Sequence, residues 1–202
     1  SCIASGLQLF AWEQYSVAGA LEGVYASVID SASGAVFQAA TLIDATAINP
    51  RCVPLGPNPS LCYVDTSSSP YHLKCVQVDT NNPVAFNAAS TISSVVNTTN
   101  PVYDVAVYSD HATSGNAVFC YNNSGTTRID VGYITVDGDV GTPGNGYTGT
   151  TTITSTTATD TIAICGDKVN TASTEADRIY VGYASTTASA GLKIKRFTGT
   201  LV

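Results

Sequence analysis

Arg128-Ile129-Asp130-Val131-Gly132-Tyr133 recurs as Arg178-Ile179-Tyr180-Val181-Gly182-Tyr183, a match at five of six positions. In both copies Ile, Val and Tyr stand two residues apart and so fall on one face of a strand, with Arg and Gly on the other. Ile129, Val131, Tyr133, Ile179, Val181 and Tyr183 are therefore predicted to face a core. Glycine within a strand weakens a sheet unless another group approaches closely, so Gly132 and Gly182 predict a close contact or a bulge. Each copy follows a short apolar run that ends in cysteine, Ala117-Val118-Phe119-Cys120 in the first and Ile162-Ala163-Ile164-Cys165 in the second. The unit reads as strand, Cys, polar loop, strand, a hairpin repeated at 117–136 and 162–184.

The same strand-and-turn grammar extends outward from this repeat. Candidate strands at 102–108, 150–157 and 192–197 alternate with turn-forming stretches such as Asn122-Asn123-Ser124-Gly125 and Asp137-Gly138. Upstream, the runs at 24–29 and 35–43 flank Asp30-Ser31-Ala32-Ser33-Gly34, a hairpin signal. Between them, residues 49–83 carry six prolines and the cysteines at 52, 62 and 75. Each proline removes a backbone donor and fixes φ, so this stretch is predicted to be a Pro/Cys-rich excursion with a short strand at 73–78. The expected fold is all-β: an antiparallel β-sandwich or barrel-like domain over 24–202, braced by disulfides.

Residues 1–23 form an apolar segment with Leu7, Leu9, Phe10 and Trp12. Exposing all four would be costly, so they complete either this chain's own sheet or, as a donor strand, a neighbour's.

Composition narrows the function classes. Of 202 residues 11% are charged, against roughly a quarter in an ordinary soluble domain, and the net charge is −7. That balance argues against nucleic-acid binding, which needs clustered Lys and Arg. The one basic cluster, Lys193, Lys195 and Arg196, reads as the solvated face of a last strand. No stretch approaches the roughly 18 to 20 apolar residues of a membrane-spanning helix. The chain has no Met and six Cys, which points to a processed, secreted or cell-surface protein whose Cys2, Cys52, Cys62, Cys75, Cys120 and Cys165 are paired. Cys120 with Cys165 is the pairing that the repeat suggests, with Cys62–Cys75 or Cys52–Cys62 as a local clip. Asn97 and Asn122 head N-glycosylation sequons.

Chemistry-bearing patterns are sparse. Two histidines, His72 and His111, are present, and there is no nucleophile elbow and no metal-binding Cys or His spacing. Twelve Asp against three Glu fits turn formation better than a glycosidase's carboxylate pair. Asp137-Gly138-Asp139 offers oxygen ligands on a flexible loop, so calcium is the one ion with a candidate site, and no other cofactor is implied. Nine Thr between 148 and 161 follow from β-propensity. Trp12, eleven Tyr and five Phe could supply stacking platforms for a glycan.

The expectation is thus a non-enzymatic extracellular structural or adhesive protein. It would be a self-associating subunit of a surface filament, pilus-like fibre or coat, joined by β-strand addition. A carbohydrate-binding module or lectin is the alternative, and a secreted glycosidase-type hydrolase the second alternative.

Overall fold

A chain whose apolar residues alternate with polar ones, and whose polar turns are short, pairs each strand with the next. A computed structural model describes residues 1–55, 58–80, 84–107, 117–124, 128–136, 143–145, 151–154, 161–167, 178–185 and 191–198. It takes that form throughout. β1 (Cys2–Ala4), β2 (Leu7–Tyr15), β3 (Leu21–Asp30) and β4 (Val36–Asp44) make a first sheet. β5 (Ala47–Leu55), β6 (Asn58–Asp65), β7 (Tyr71–Asp79), β8 (Ala85–Phe86) and β9 (Ser90–Val96) make a second. β10 (Tyr103–Val107), β11 (Ala117–Asn122), β12 (Arg128–Val136), β13 (Pro143–Asn145) and β14 (Thr151–Thr154) make a third. β15 (Ile162–Asp167), β16 (Arg178–Ser185) and β17 (Gly191–Thr198) make the fourth. Every pairing is antiparallel, and the described residues contain no helix.

Three interiors join these four sheets in a row. Leu7, Leu9, Val24, Ala26 and Val28 of the first sheet meet Ala47, Leu61, Tyr63, Val76 and Val78 of the second. The second sheet's opposite face, with Val53, Leu55, Cys62, Val64, Leu73 and Cys75, meets Tyr103, Ala117, Phe119, Tyr121 and Ile134 of the third. The third sheet then turns Val118, Cys120, Ile129 and Val131 toward Ile162, Ile164, Ile179, Val181 and Tyr183 of the fourth. The alternation of side chains along β6 explains why it is buried at every position: Leu61 and Tyr63 enter one interior, Cys62 and Val64 the other.

The all-β antiparallel class therefore stands, while three finer expectations are corrected. The fold is not a closed barrel, and it is a run of four face-to-face sheets in place of one two-sheet sandwich. Successive small meanders stacked in this way are also the plan of propeller blades; among the described residues the first and fourth sheets share no interior. Residues 49–83 are no excursion, since β5, β6 and β7 run through them. The prolines fit because of where they stand. β5 is an edge strand, so Pro54 has an open side, and Pro50 lies where the ladder shifts between Ile48 and Arg51. Pro59 precedes Ser60, where pairing of β6 with β7 begins. Pro57 and Pro83 lie outside the described residues.

The third correction concerns the suggested Cys120–Cys165 pairing. Cys120 and Cys165 do not occupy equivalent places. Cys120 lies opposite Val131 in its hairpin, whereas Cys165 lies opposite Tyr180, and Val181 faces Ile164. The second cysteine is thus one position along, and a shift of one residue turns a side chain to the other face of a sheet. Cys120 is buried, and Cys165 is exposed on the outer side.

Ile129, Val131, Ile179, Val181 and Tyr183 all point into the third interior, and the side chain of Tyr133 lies outside the described residues. The close contact expected at Gly182 is absent, because an added Cβ would find its nearest neighbours, carbonyls of Ala163 and Lys193, at 4.0 Å. Gly132 is buried opposite Phe119. Gly23 is the position where glycine is required. Its φ of +123° disfavours any side chain, and an added Cβ would overlap the Asp44 carbonyl and the Ala45 backbone.

Candidate functional site

Among the described residues, stacking uses both faces of the second and third sheets but only one face of the first and fourth. Because side chains alternate, the residues between those buried in β2 and β3 point outward: Gln8, Phe10 and Trp12 on β2, Tyr25, Ser27 and Ile29 on β3. Trp12 stands opposite Tyr25, and their rings stack with centroids 6.3 Å apart and planes 21° apart. Leu42 lies beside Tyr25, Val36 beside Ile29, and Ile3 beside Gln8. Phe10 is 37% exposed, Leu42 44%, Ile3 58% and Val36 63%. The outer face of the first sheet is thus a connected aliphatic and aromatic surface.

The expected donor segment is placed by this geometry. Residues 1–23 pair within their own chain, with Leu7 and Leu9 in the first interior and Phe10 and Trp12 on its outer face.

At the other end of the row, Leu192, Ile194 and Arg196 of β17 lie opposite Ala184, Gly182 and Tyr180. Leu192 is 79% exposed and Ile194 69%. Lys193, Lys195 and Phe197 point the other way, with Phe197 closing the third interior. Charge divides with position. Residues 1–46 contain Glu13, Glu22, Asp30 and Asp44 and no Lys or Arg, whereas β17 carries Lys193, Lys195 and Arg196 and no carboxylate.

The buried polar groups serve structure. Asp65 is 2% exposed, and its carboxylate receives Lys74 Nζ at 2.7 Å, the Ser67 amide at 2.8 Å and Thr46 Oγ1 at 2.8 Å. Burial pushes this carboxyl up, but the bonds from Lys74, Ser67 and Thr46 outweigh it and hold it well below the usual carboxylate range. Asp44 of the first sheet lies 3.8 Å from the same ammonium, so the cluster ties two sheets together. Burial, and then the charges of Asp44 and Asp65, push the neighbouring Tyr63 phenol up.

Asp130, 1% exposed, accepts from Tyr121 Oη at 3.1 Å and Asn123 Nδ2 at 2.7 Å. Its Oδ1 lies 2.9 Å from Arg128 Nε, an ion contact too bent for a hydrogen bond. A carboxylate within a strand between Ile129 and Val131 is the sequence signal that marks this cluster, since strands are depleted in Asp.

The remaining candidates disperse. Ser68 Oγ lies 3.2 Å from His72 Nε2 but donates its proton to the Pro70 carbonyl at 2.9 Å. Asp65, opposite His72 in the ladder, is engaged with Lys74, Thr46 and Ser67. A cleft of about 480 Å³ is lined by Ser5, Gly6, Leu7, Asp30, Phe37, Thr80 and Val84. Asp30 there binds the amides of Ala32 and Ser33 and the Ser33 hydroxyl, which hold its carboxyl below the usual range and give it to the turn.

Asn97 caps a turn, accepting from the amides of Thr99 and Asn100. Asn122 is 5% exposed with Nδ2 directed at the Asn100 carbonyl. Asp137, Asp139 and His111 lie outside the described residues. Among those described, no three His, Cys, Asp or Glu side chains form a metal-binding group, and no helix is long and apolar enough to cross a membrane.

No protein-family profile matches the chain, and no curated protein sequence matches it.

Proposed function

We propose that this chain is a non-catalytic structural or adhesive subunit acting outside the cell, and that it self-associates by stacking its end sheets. The carrying observation is that two open, apolar sheet faces stand at opposite ends of a row built throughout by sheet-on-sheet packing. Leu192 and Ile194 on one face and Phe10, Leu42 and Val36 on the other make a second copy the fitting occupant, the fourth sheet of one chain resting on the first sheet of the next and covering both apolar faces at once. Such a head-to-tail contact joins unlike surfaces, and it builds a ring if the rotation closes and a filament if it does not. Face stacking takes the place of strand donation in this reading, because β1 and β2 are already paired at home. Secretion is favoured by six cysteines without a metal-ligand spacing.

Sedimentation velocity across a concentration series, with negative-stain electron microscopy of the same samples, tests the proposal. Species should grow with concentration and shrink on cooling, as a contact made by apolar burial does. A chain that stays monomeric at high concentration sinks it.

One observation supports a second reading. Trp12, Tyr25 and Phe10 gather three aromatic rings on one open sheet face, a surface against which a sugar ring could pack. Selective binding on a glycan array by a strictly monomeric chain, lost in Trp12→Ala, would favour it.

A further inference from the structure

We infer that the second sheet carries two disulfide-forming cysteine pairs, one on each face: Cys2–Cys52, accessible in the folded chain, and Cys62–Cys75, closed only while the chain folds. This goes beyond the assembly reading, and peptide mass reads it out whether or not the chain assembles.

The two pairs differ in depth. Cys62 and Cys75 are directly opposite in the β6–β7 ladder, their Sγ atoms 3.3 Å apart, and both are fully buried in the second interior. Facing residues of antiparallel strands have Cα separations of about 4.5–5.5 Å, within the span that a disulfide bridges. Cys2 of β1 and Cys52 of β5 are hydrogen-bonded thiols that pack together against the first interior, half-exposed at its margin. A bond there would clasp the first sheet, which presents the aromatic outer face, onto the second. Cys52 is equipped to attack. The hydrogen bond from Cys2 draws its thiol down to about 7 against the effect of burial, while that bond and burial push Cys2 up. That lowering favours the thiolate, the nucleophilic form.

The chemistry is thiol–disulfide exchange with a low-molecular-weight disulfide such as oxidised glutathione. The Cys52 thiolate attacks one glutathione sulfur and expels the other half as a thiolate, which takes up a proton. Cys2 then gives up its proton, and its sulfur displaces the second glutathione from Cys52. The two cysteines lose two electrons and two protons in all, and the small disulfide gains them as two thiols. Cys120 is buried without a facing thiol in its ladder, and Cys165 is exposed on the outer face of the fourth sheet, so neither joins a pair.

The reduced, folded protein is incubated with oxidised glutathione at neutral pH, quenched in acid, alkylated and digested with trypsin plus chymotrypsin. Cleavage at Leu55 or Leu61 separates Cys52 from Cys62. Alkylation of Cys2 and Cys52 should disappear together as a linked 2–52 peptide appears, with Cys165 still modifiable and Cys62, Cys75 and Cys120 protected until denaturant is added. In Cys2→Ser, Cys52 should stop as the glutathione adduct. Refolding from denaturant in a glutathione buffer should add the linked 62–75 peptide. Cys2 and Cys52 remaining separately alkylatable, or Cys52 linked to Cys62 after refolding, overturns the assignment.

Discussion

Replacing Leu192 and Ile194 together by Asp tests the stacking proposal where it is most exposed to failure. Both side chains stand on the outer face of the fourth sheet, 79% and 69% exposed, so the fold gains little from them. Substitutions at such sites shift stability by within about 0.5 kcal/mol. Covering a Leu or Ile fully is worth about 1.5–3 kcal/mol. Scaled by the area still open on each, the pair would contribute about 2–4 kcal/mol to a contact that covers them, or roughly 30- to 1,000-fold in association. Sedimentation velocity should show that loss while the thermal midpoint by circular dichroism holds. Leu42→Asp at the opposite end should also block growth. Mixing the two variants then separates contact types: a head-to-tail joint leaves one good face on each, so the mixture should form a capped dimer and stop. A double variant that assembles like the parent refutes the reasoning, and a mixture that yields no dimer refutes the head-to-tail geometry.

Three further outcomes follow from the interiors. Ile129→Ala, at a fully buried position of the third interior, should cost about 2–5 kcal/mol and lower the thermal midpoint by about 4–20 °C; an unchanged midpoint would refute the strand register. Because the Asp65 carboxyl is held down in the folded chain, its contribution is fully present above the unfolded carboxyl's pKa of about 3.9 and is lost as pH falls through the lower folded value. Lys74→Ala should cost about 3–5 kcal/mol by leaving that carboxylate buried without its cation and should move acid unfolding to higher pH, which a circular-dichroism pH titration would show. Gly23→Ala should destabilise by more than about 1 kcal/mol, since both its φ and the nearby Asp44 carbonyl oppose a side chain, and chemical denaturation would measure it.

The sequence is most legible where packing follows from neighbours along the chain. The period-two pattern of Ile129 and Val131, and of Ile179 and Val181, is set by one strand's own geometry, and those side chains are buried as read. What escapes it depends on which face of a sheet meets which. Nothing local to Leu61-Cys62-Tyr63-Val64 says that two sheets will cover it, and the surrounding prolines argue for a loop unless the ladder's edges are known. The same limit hides the surface proposed for stacking: Leu9 and Phe10 are adjacent and equally apolar, yet one is fully buried and the other open.

The repeat also records which copy stands inside the row. Its single mismatch, Asp130 against Tyr180, falls on the face that the two sheets use differently. In the third sheet that face is covered by the second, and a carboxylate buried there persists because Arg128, Tyr121 and Asn123 surround it. In the fourth sheet the corresponding face is the outer one, where half-buried Tyr180 lies beside Arg196 and exposed Cys165. A tyrosine suits a surface that is solvated in the free subunit and covered in a stacked one, because its ring can be buried while its hydroxyl stays wet or finds a partner. A carboxylate could be covered only by a neighbour that supplied cations and donors, as the third sheet supplies to Asp130. On the proposed stacking, the mismatch is therefore what a repeated hairpin requires when one copy is enclosed within the chain and the other waits for a second subunit.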